Sequence, residues 1–213
     1  VVNPEEALQI VRQAKASDIG SKLTVVGIAG PGEPLANNAT FETLKGIKRH
    51  FPEMILCLST NGLLLPEKLE ELTEIGVSHI TITINTLDEQ VGTRIYSYVR
   101  WRGKTLVGPE ASRILIDKQL TGLELASKAG MTLKVNTVLI PGVNDRLLYS
   151  LGLEIKKRGA HLHNILPLIP QGKLSHIMAP TKDLITSLRS YIGEILPQMQ
   201  HCQQCRADAI GLL

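Results

Sequence analysis

Along this chain, short apolar runs rich in β-branched residues alternate with longer stretches whose apolar positions recur every three or four residues. The runs LTVVGIAG (Leu23 to Gly30), MILCLST (Met54 to Thr60), SHITITIN (Ser78 to Asn85), TLKVNTVL (Thr132 to Leu139) and LHNILPLI (Leu162 to Ile169) predict strands. Amphipathic segments predict helices at roughly Ala39–His50, Pro66–Ile75, Ala111–Ala129, Asn144–Arg158 and Thr181–Met199. Such alternation means parallel strands joined by helical crossovers. The first segment is a helix, with Asn3 as N-cap, Pro4 at its first position and Glu5 and Glu6 in its first turn. One more strand is therefore expected in front of it, and the lack of an initiator methionine points the same way.

The strands also alternate across their two faces. In SHITITIN, Ile80, Ile82 and Ile84 share one face, and His79, Thr81, Thr83 and Asn85 share the other. Cys57 and Ser59 form the more polar face of MILCLST, and Lys134 and Asn136 that of TLKVNTVL; LHNILPLI leaves its parity open. Strands of an ordinary doubly wound sheet are apolar on both sides. A barrel with helices on the isoleucine face and a polar lumen explains the pattern better. The third crossover is the longest and carries YSYVRWRGKTLVGPE (Tyr96 to Glu110), which reads equally as a surface excursion or as a lid over a site.

Composition narrows this further. A chain of 213 residues with 43% hydrophobic content supports one domain, placed at residues 1–200, followed by a tail at 201–213. A net charge of +3 and 3% aromatic residues do not describe a nucleic-acid surface. Without a span-length apolar run or a signal peptide, a cytoplasmic protein that binds neither membrane nor nucleic acid is expected. Three cysteines make no disulfide framework and leave thiols for metal or chemistry.

Glycine, proline and polar residues cluster where each strand finishes, as AGPGEP, STNG, INTLDE, LIPGVND and LIPQG. Ligands of parallel α/β folds sit at that carboxyl edge, so Glu33, Thr60, Asn61, Asn85 and the turn from Pro141 to Asp145 should converge there. In GIAGPGEPLAN, Gly32 permits close backbone approach and Pro34 fixes the chain after Glu33. The loop either offers Glu33 to a bound cation or is a tight turn whose carboxylate faces water. The tail HCQQCRADAIGLL holds Cys202 and Cys205, half a coordination shell for a metal or cluster iron, with a redox dithiol or half of a zinc site as alternatives. Cys57 is a buried thiol by default and a cluster ligand if the lumen holds one.

Taken together, GIAGPGEPLAN, LCLSTNGLLLPE, TITINTLDE, IYSYVRWRGKT, KVNTVLIPGVND and HCQQCRADAIGLL resemble the radical SAM core of the NifB family of nitrogenase cofactor biosynthesis proteins, over essentially the whole chain. The resemblance implies an α/β fold, a partial (β/α)6 TIM-like barrel whose first strand and cluster-binding loop precede these residues. It implies that Glu33, in a loop with Gly30, Gly32 and Pro34, faces the ammonium of S-adenosylmethionine (SAM). Thr60, Asn61, Thr83, Asn85 and Asn136, with the backbone near Val135 and Val138, would line the rest of that cofactor. Of three [4Fe–4S] clusters, one would cleave SAM through a C-x3-C-x2-C motif that these residues lack. Cys57 would hold the second, a precursor, and Cys202 with Cys205 the third. The implied activity is SAM-dependent methylation of a cluster sulfide, hydrogen abstraction from that methyl, and fusion of the precursors around a carbide into an 8Fe–9S–C product. Iron–sulfur cluster donors and downstream nitrogenase cofactor carrier or scaffold proteins are the implied partners. A non-enzymatic iron–sulfur carrier, or a radical SAM enzyme of another branch with an auxiliary cluster at the C-x-x-C, remain the alternatives.

Overall fold

Residues 2–199, apart from Ile19 and Pro31, are described by a computed structural model. In chain order the elements are α1 (Pro4–Ala16), β1 (Val25–Ile28), α2 (Asn38–His50), β2 (Ile55–Thr60), α3 (Leu65–Ile75), β3 (Val77–Thr83) and α4 (Glu89–Ile95). They continue with β4 (Val99–Trp101), β5 (Lys104–Leu106), α5 (Gly108–Lys128), β6 (Thr132–Leu139), α6 (Leu148–Lys157), β7 (Leu162–Pro167) and α7 (Lys182–Gly193). Strands pair in the order β1-β2-β3-β6-β7, every neighbour parallel. Strands β4 and β5 form a separate antiparallel hairpin.

All five expected strands form, and with their crossover helices they make a partial (β/α) barrel. The departures have local causes. The long third crossover contains α4, capped by Asp88, whose carboxylate accepts from the Gln90 and Val91 amides. It also contains the hairpin, whose Arg102 and Gly103 both take positive φ, the conformation a two-residue turn requires. Helix α7 stops at Gly193 rather than near Met199. Pro197 disfavours helix at the residue before it, and the chain beyond bonds to β7 instead. The His163 amide donates to Pro197 O and the Met199 amide to His163 O, both at 2.9 Å, a parallel bridge centred on Gln198.

Strand alternation sets the two faces. On the outer face Leu56, Leu58, Ile80, Ile82, Leu133, Val135, Leu139 and Ile165 are buried, in one core with apolar residues of α2, α3, α5, α6 and α7. Each such side chain contributes about 1.5–3 kcal/mol of burial. The opposite face is polar in register across strands. Gly27, Cys57 and His79 form one row, Ser59, Thr81 and Lys134 the next, and Thr83, Asn136 and Asn164 the third. Register also settles β7: Asn164 pairs with Asn136 on the inner face, and His163 lies with Val135 on the outer one.

Candidate functional site

The loop after β1 is built around a carboxylate that turns back onto the sheet. Gly32 has φ +105°, and a Cβ added at Gly30 or Gly32 would meet no heavy atom within 4 Å, so the space before this backbone is open. Glu33 caps a short 3-10 turn over Pro34–Ala36, its Oε1 accepting from the Leu35 amide at 3.1 Å. The same oxygen accepts from the Thr60 hydroxyl at 2.6 Å, and Oε2 from the Asn61 amide at 2.7 Å. A carboxylate has about four acceptor positions, so these bonds leave room for roughly one more donor. Glu33 is thus not a turn residue facing only water. It ties β1 to β2 and has acceptor capacity left for a cation.

Thr60 and Asn61 are organised by the same corner. The Thr60 hydroxyl oxygen accepts from the Gly62 amide at 3.0 Å, and Asn61 Oδ1 from the Leu63 amide at 2.8 Å. Gly62 has φ +84°, and a Cβ there would lie 2.9 Å from Gln119 Cγ. That glycine lets α5 close in, so that Gln119 Nε2 donates to both Asn61 O and Thr83 O at 2.9 Å.

A second corner joins β3 to β6. Asn85 Oδ1 accepts from the Val138 amide at 2.9 Å. Asn144, wholly buried, donates through Nδ2 to Asn85 O and Val138 O and accepts from the Ile140 amide, each at 2.8 Å. Beneath it the Thr137 hydroxyl donates to Ile84 O at 2.6 Å and lies 2.9 Å from His163 Nε2. The single hydroxyl proton is spent on Ile84, so Nε2 is the donor and His163 carries its proton there. Its Nδ1 is buried without a partner, and burial pushes the imidazole pKa down to about 4.

The structure therefore brings Glu33, Thr60, Asn61, Thr83, Asn85 and Val138 to the carboxyl edge, Asn136 just inside it, bonded to Asn164 at 3.1 Å. Val135 faces the outer core, which leaves only its backbone to a ligand. Sequence reasoning missed Gln119 and the specific part of Asn144. A polar residue on an amphipathic helix reads as solvated, and Asn144 was visible only as a member of the Pro141–Asp145 turn.

Cys57 lies half-buried on the inner face, its thiol pushed up by burial against the opposing charge of Lys134. Lys134 Nζ also sits 3.8 Å from Met199 Sδ, which brings the end of the described chain to this face. Among the described residues no group of three or more His, Cys, Asp or Glu could hold a metal ion; Cys202 and Cys205 lie outside them. Two cavities meet at Glu33. One, of about 480 Å³, runs along Gly27–Gly30, Gly32 and Pro34 towards Thr40 and Thr43; the other, of about 340 Å³, is walled by Asn61, Tyr96, Tyr98 and Arg100. Both fall within the range of small-molecule sites, roughly 300–1,000 Å³. Open backbone at two glycines and one carboxylate with acceptor capacity left fit a cationic amino-acid-bearing ligand.

Parallel strands with such a site at their carboxyl edge define a class, and the chain belongs to it: the Radical SAM superfamily profile matches residues 1–150. Membership implies SAM and a [4Fe–4S] cluster as cofactors. Within the superfamily the chain is a homologue of NifB. It is 44% identical over 220 residues to the FeMo cofactor biosynthesis protein NifB of Klebsiella pneumoniae, covering 100% of this chain and 47% of that protein. The NifB proteins of Frankia alni and Chlorobaculum tepidum are 44% and 38% identical, with 44% and 50% of their lengths covered. The chain thus spans about half the length of these relatives. Among solved structures, Streptococcus suis SuiB superposes with TM-score 0.66 at 16% identity, over 96% of this chain and 44% of its own. A radical SAM methyltransferase from Sphaerobacter thermophilus gives 0.65 at 19% identity, over 92% and 56%. Both show the fold. Among the described residues no helix is long and apolar enough to cross a membrane.

Proposed function

We propose that this chain is the catalytic core of a protein that inserts a SAM-derived carbide while fusing two [4Fe–4S] clusters into the 8Fe–9S–C precursor of the nitrogenase FeMo cofactor. The observation that carries the proposal is the Glu33 carboxylate held at the carboxyl ends of β1 and β2, on a sheet whose opposite, polar face carries Cys57, in a chain similar throughout to NifB. Glu33, with the Gly30, Gly32 and Pro34 backbone, would hold the ammonium of SAM. Thr60, Asn61, Thr83, Asn85, Asn136 and the backbone at Val135 and Val138 would line the remainder. Held there, SAM would supply a transferable methyl group and, with the superfamily's [4Fe–4S] cluster, a hydrogen-abstracting radical. The residues at the edge would orient it.

The two precursor clusters are substrates in this reading, one taken by Cys57 and the other by Cys202 with Cys205. Iron–sulfur donors would deliver them and a downstream carrier or scaffold would receive the product. The direction of the chain at Met199, parallel to β7 and beside Lys134, supports bringing the tail to that face. In the full-length protein Glu33→Ala should weaken SAM binding by about 2–5 kcal/mol in titration calorimetry, because a buried cation loses its partner. Unchanged affinity sinks the assignment. Replacing both tail cysteines by alanine should remove about one [4Fe–4S] equivalent of iron while SAM cleavage persists. A doubly substituted protein that keeps its iron and still forms the carbide cluster excludes the tail.

A further inference from the structure

Asn164, on β7, is fully buried. Its Nδ2 donates to Asn136 Oδ1 at 3.1 Å, and its own Oδ1 has no partner among the described residues. A buried amide left half-satisfied lowers stability, so its presence calls for an account. Asn136, on β6, keeps 6% of its surface exposed, so a ligand on the inner face meets Asn136 and not Asn164. Among the described residues, Asn136 Nδ2 has no acceptor. The backbone beneath it is fixed, because β6 pairs with β3 on one side and β7 on the other, and Asn136 O accepts from the Ile84 amide at 2.9 Å. What remains soft is the last torsion of the side chain, which in asparagine is broad and roughly two-fold. Unaided, that amide would present its oxygen or its nitrogen to the inner face with similar ease.

We infer that Asn164 is a positioning residue that sets the sense of the Asn136 amide: by donating to Oδ1 it engages the oxygen and leaves Nδ2 as the group a ligand meets. This spot then requires a hydrogen-bond acceptor of the ligand and disfavours a donor. The opposite sense, with Asn164 Oδ1 accepting from Asn136, would leave both Asn164 amide protons unpaired inside the sheet. The observed sense leaves one proton and an oxygen, and under-satisfied carbonyl oxygens are the better tolerated of the two. SAM carries acceptors of the required kind in its carboxylate, its ribose hydroxyls and its adenine nitrogens.

The inference rests on the reading of this edge as the SAM site, and the test separates the two. In the full-length protein, calorimetry gives the SAM Kd for the parent, Glu33→Ala, Asn136→Ala, Asn164→Leu and the variant carrying both asparagine changes. Asn136→Ala should raise Kd about tenfold, the loss of one buried hydrogen bond. Asn164→Leu should also raise it about tenfold, because binding SAM then strands Asn136 Oδ1 against an apolar neighbour. Added to Asn136→Ala, Asn164→Leu should change Kd by less than about twofold, since the residue it acts through is gone. A penalty that persists on the Asn136→Ala background means that Asn164 acts independently, and overturns the positioning role. So does Asn164→Leu binding within about twofold of the parent while Asn136→Ala weakens. Should Asn164→Leu fail to fold, Asn164→Asp, of nearly the same shape, carries the test. Its protonated carboxyl can donate to Asn136 Oδ1, whereas its carboxylate only accepts and draws Nδ2 round. Burial raises the ionisation of that group, so Kd relative to the parent should climb about tenfold between roughly pH 6 and 9 and stay flat when Asn136 is alanine. A ratio flat in both backgrounds overturns the role. If Glu33→Ala loses SAM and Asn136→Ala binds it like the parent, the site stands and the inference falls. If both bind SAM like the parent, the site reading falls and the inference falls with it.

Discussion

The two corners of the carboxyl edge are held by different chemistry. Between β1 and β2 the tie is an ionisable carboxylate, Glu33, surrounded by exposed Gly30, Gly32 and Asn61. Between β3 and β6 it is a set of neutral amides and a hydroxyl, in which Asn144, Thr137 and His163 have no exposure. Neutral bonds in a water-free setting are directional and costly to break, since no solvent replaces them. A half-exposed carboxylate can trade partners with water or with an incoming cation. One corner is therefore a fixed floor and the other an adjustable wall, and a ligand contacting both is registered by the first and gripped by the second.

Substitutions can break that contrast, and the largest effect belongs to the floor. Asn144→Ala strands the carbonyls of Asn85 and Val138 and the amide of Ile140. It should cost about 3–5 kcal/mol in urea denaturation, more than any single change at the Glu33 corner. Next is the response to acid. The folded pKa of His163 is about 4 against an ordinary value of 6.5, so between those values the unfolded chain binds the proton that the folded chain refuses. Its contribution is complete above pH 6.5 and is lost as pH falls towards 4, about 3 kcal/mol over the window. Unfolding midpoints at pH 7.5, 5.5 and 4.5 should show that slope, and His163→Phe should flatten it.

Smaller effects sharpen the comparison at the wall. Glu33→Ala should lower stability by only about 2 kcal/mol, from its lost cap and tie, with its main damage in ligand affinity. A stability loss matching that of Asn144→Ala would erase the distinction between the corners. Smallest is Gly32→Ala, about 1 kcal/mol of backbone strain at φ +105°. Gly30→Ala, in open space without positive φ, should be close to neutral and serves as its control.

Much of this architecture was legible because it follows from period. Strands of alternating parity such as SHITITIN announce a covered face and a polar one, and Asn3-Pro4 announces a helix start; both appear where expected. The hairpin escaped notice because three-residue strands are too short to show alternation, and Arg102 at positive φ is unusual outside such turns. Glu33 was legible as a candidate, yet its bonds to Thr60 and Asn61 span 27 and 28 residues, separations at which local pattern is silent. Gln119 and Asn144 were hidden for the same reason. Their roles are defined by carbonyls that the diverging strands leave unpaired, and only the assembled edge creates those.

The bridge between Gln198 and β7 has a consequence for the open edge of the sheet. An edge strand offers unpaired amides and carbonyls to any other extended chain. Here the His163 amide donates to Pro197 O and its carbonyl accepts from the Met199 amide, so the protein's own chain covers that stretch of β7. A second molecule pairing there would first have to displace it.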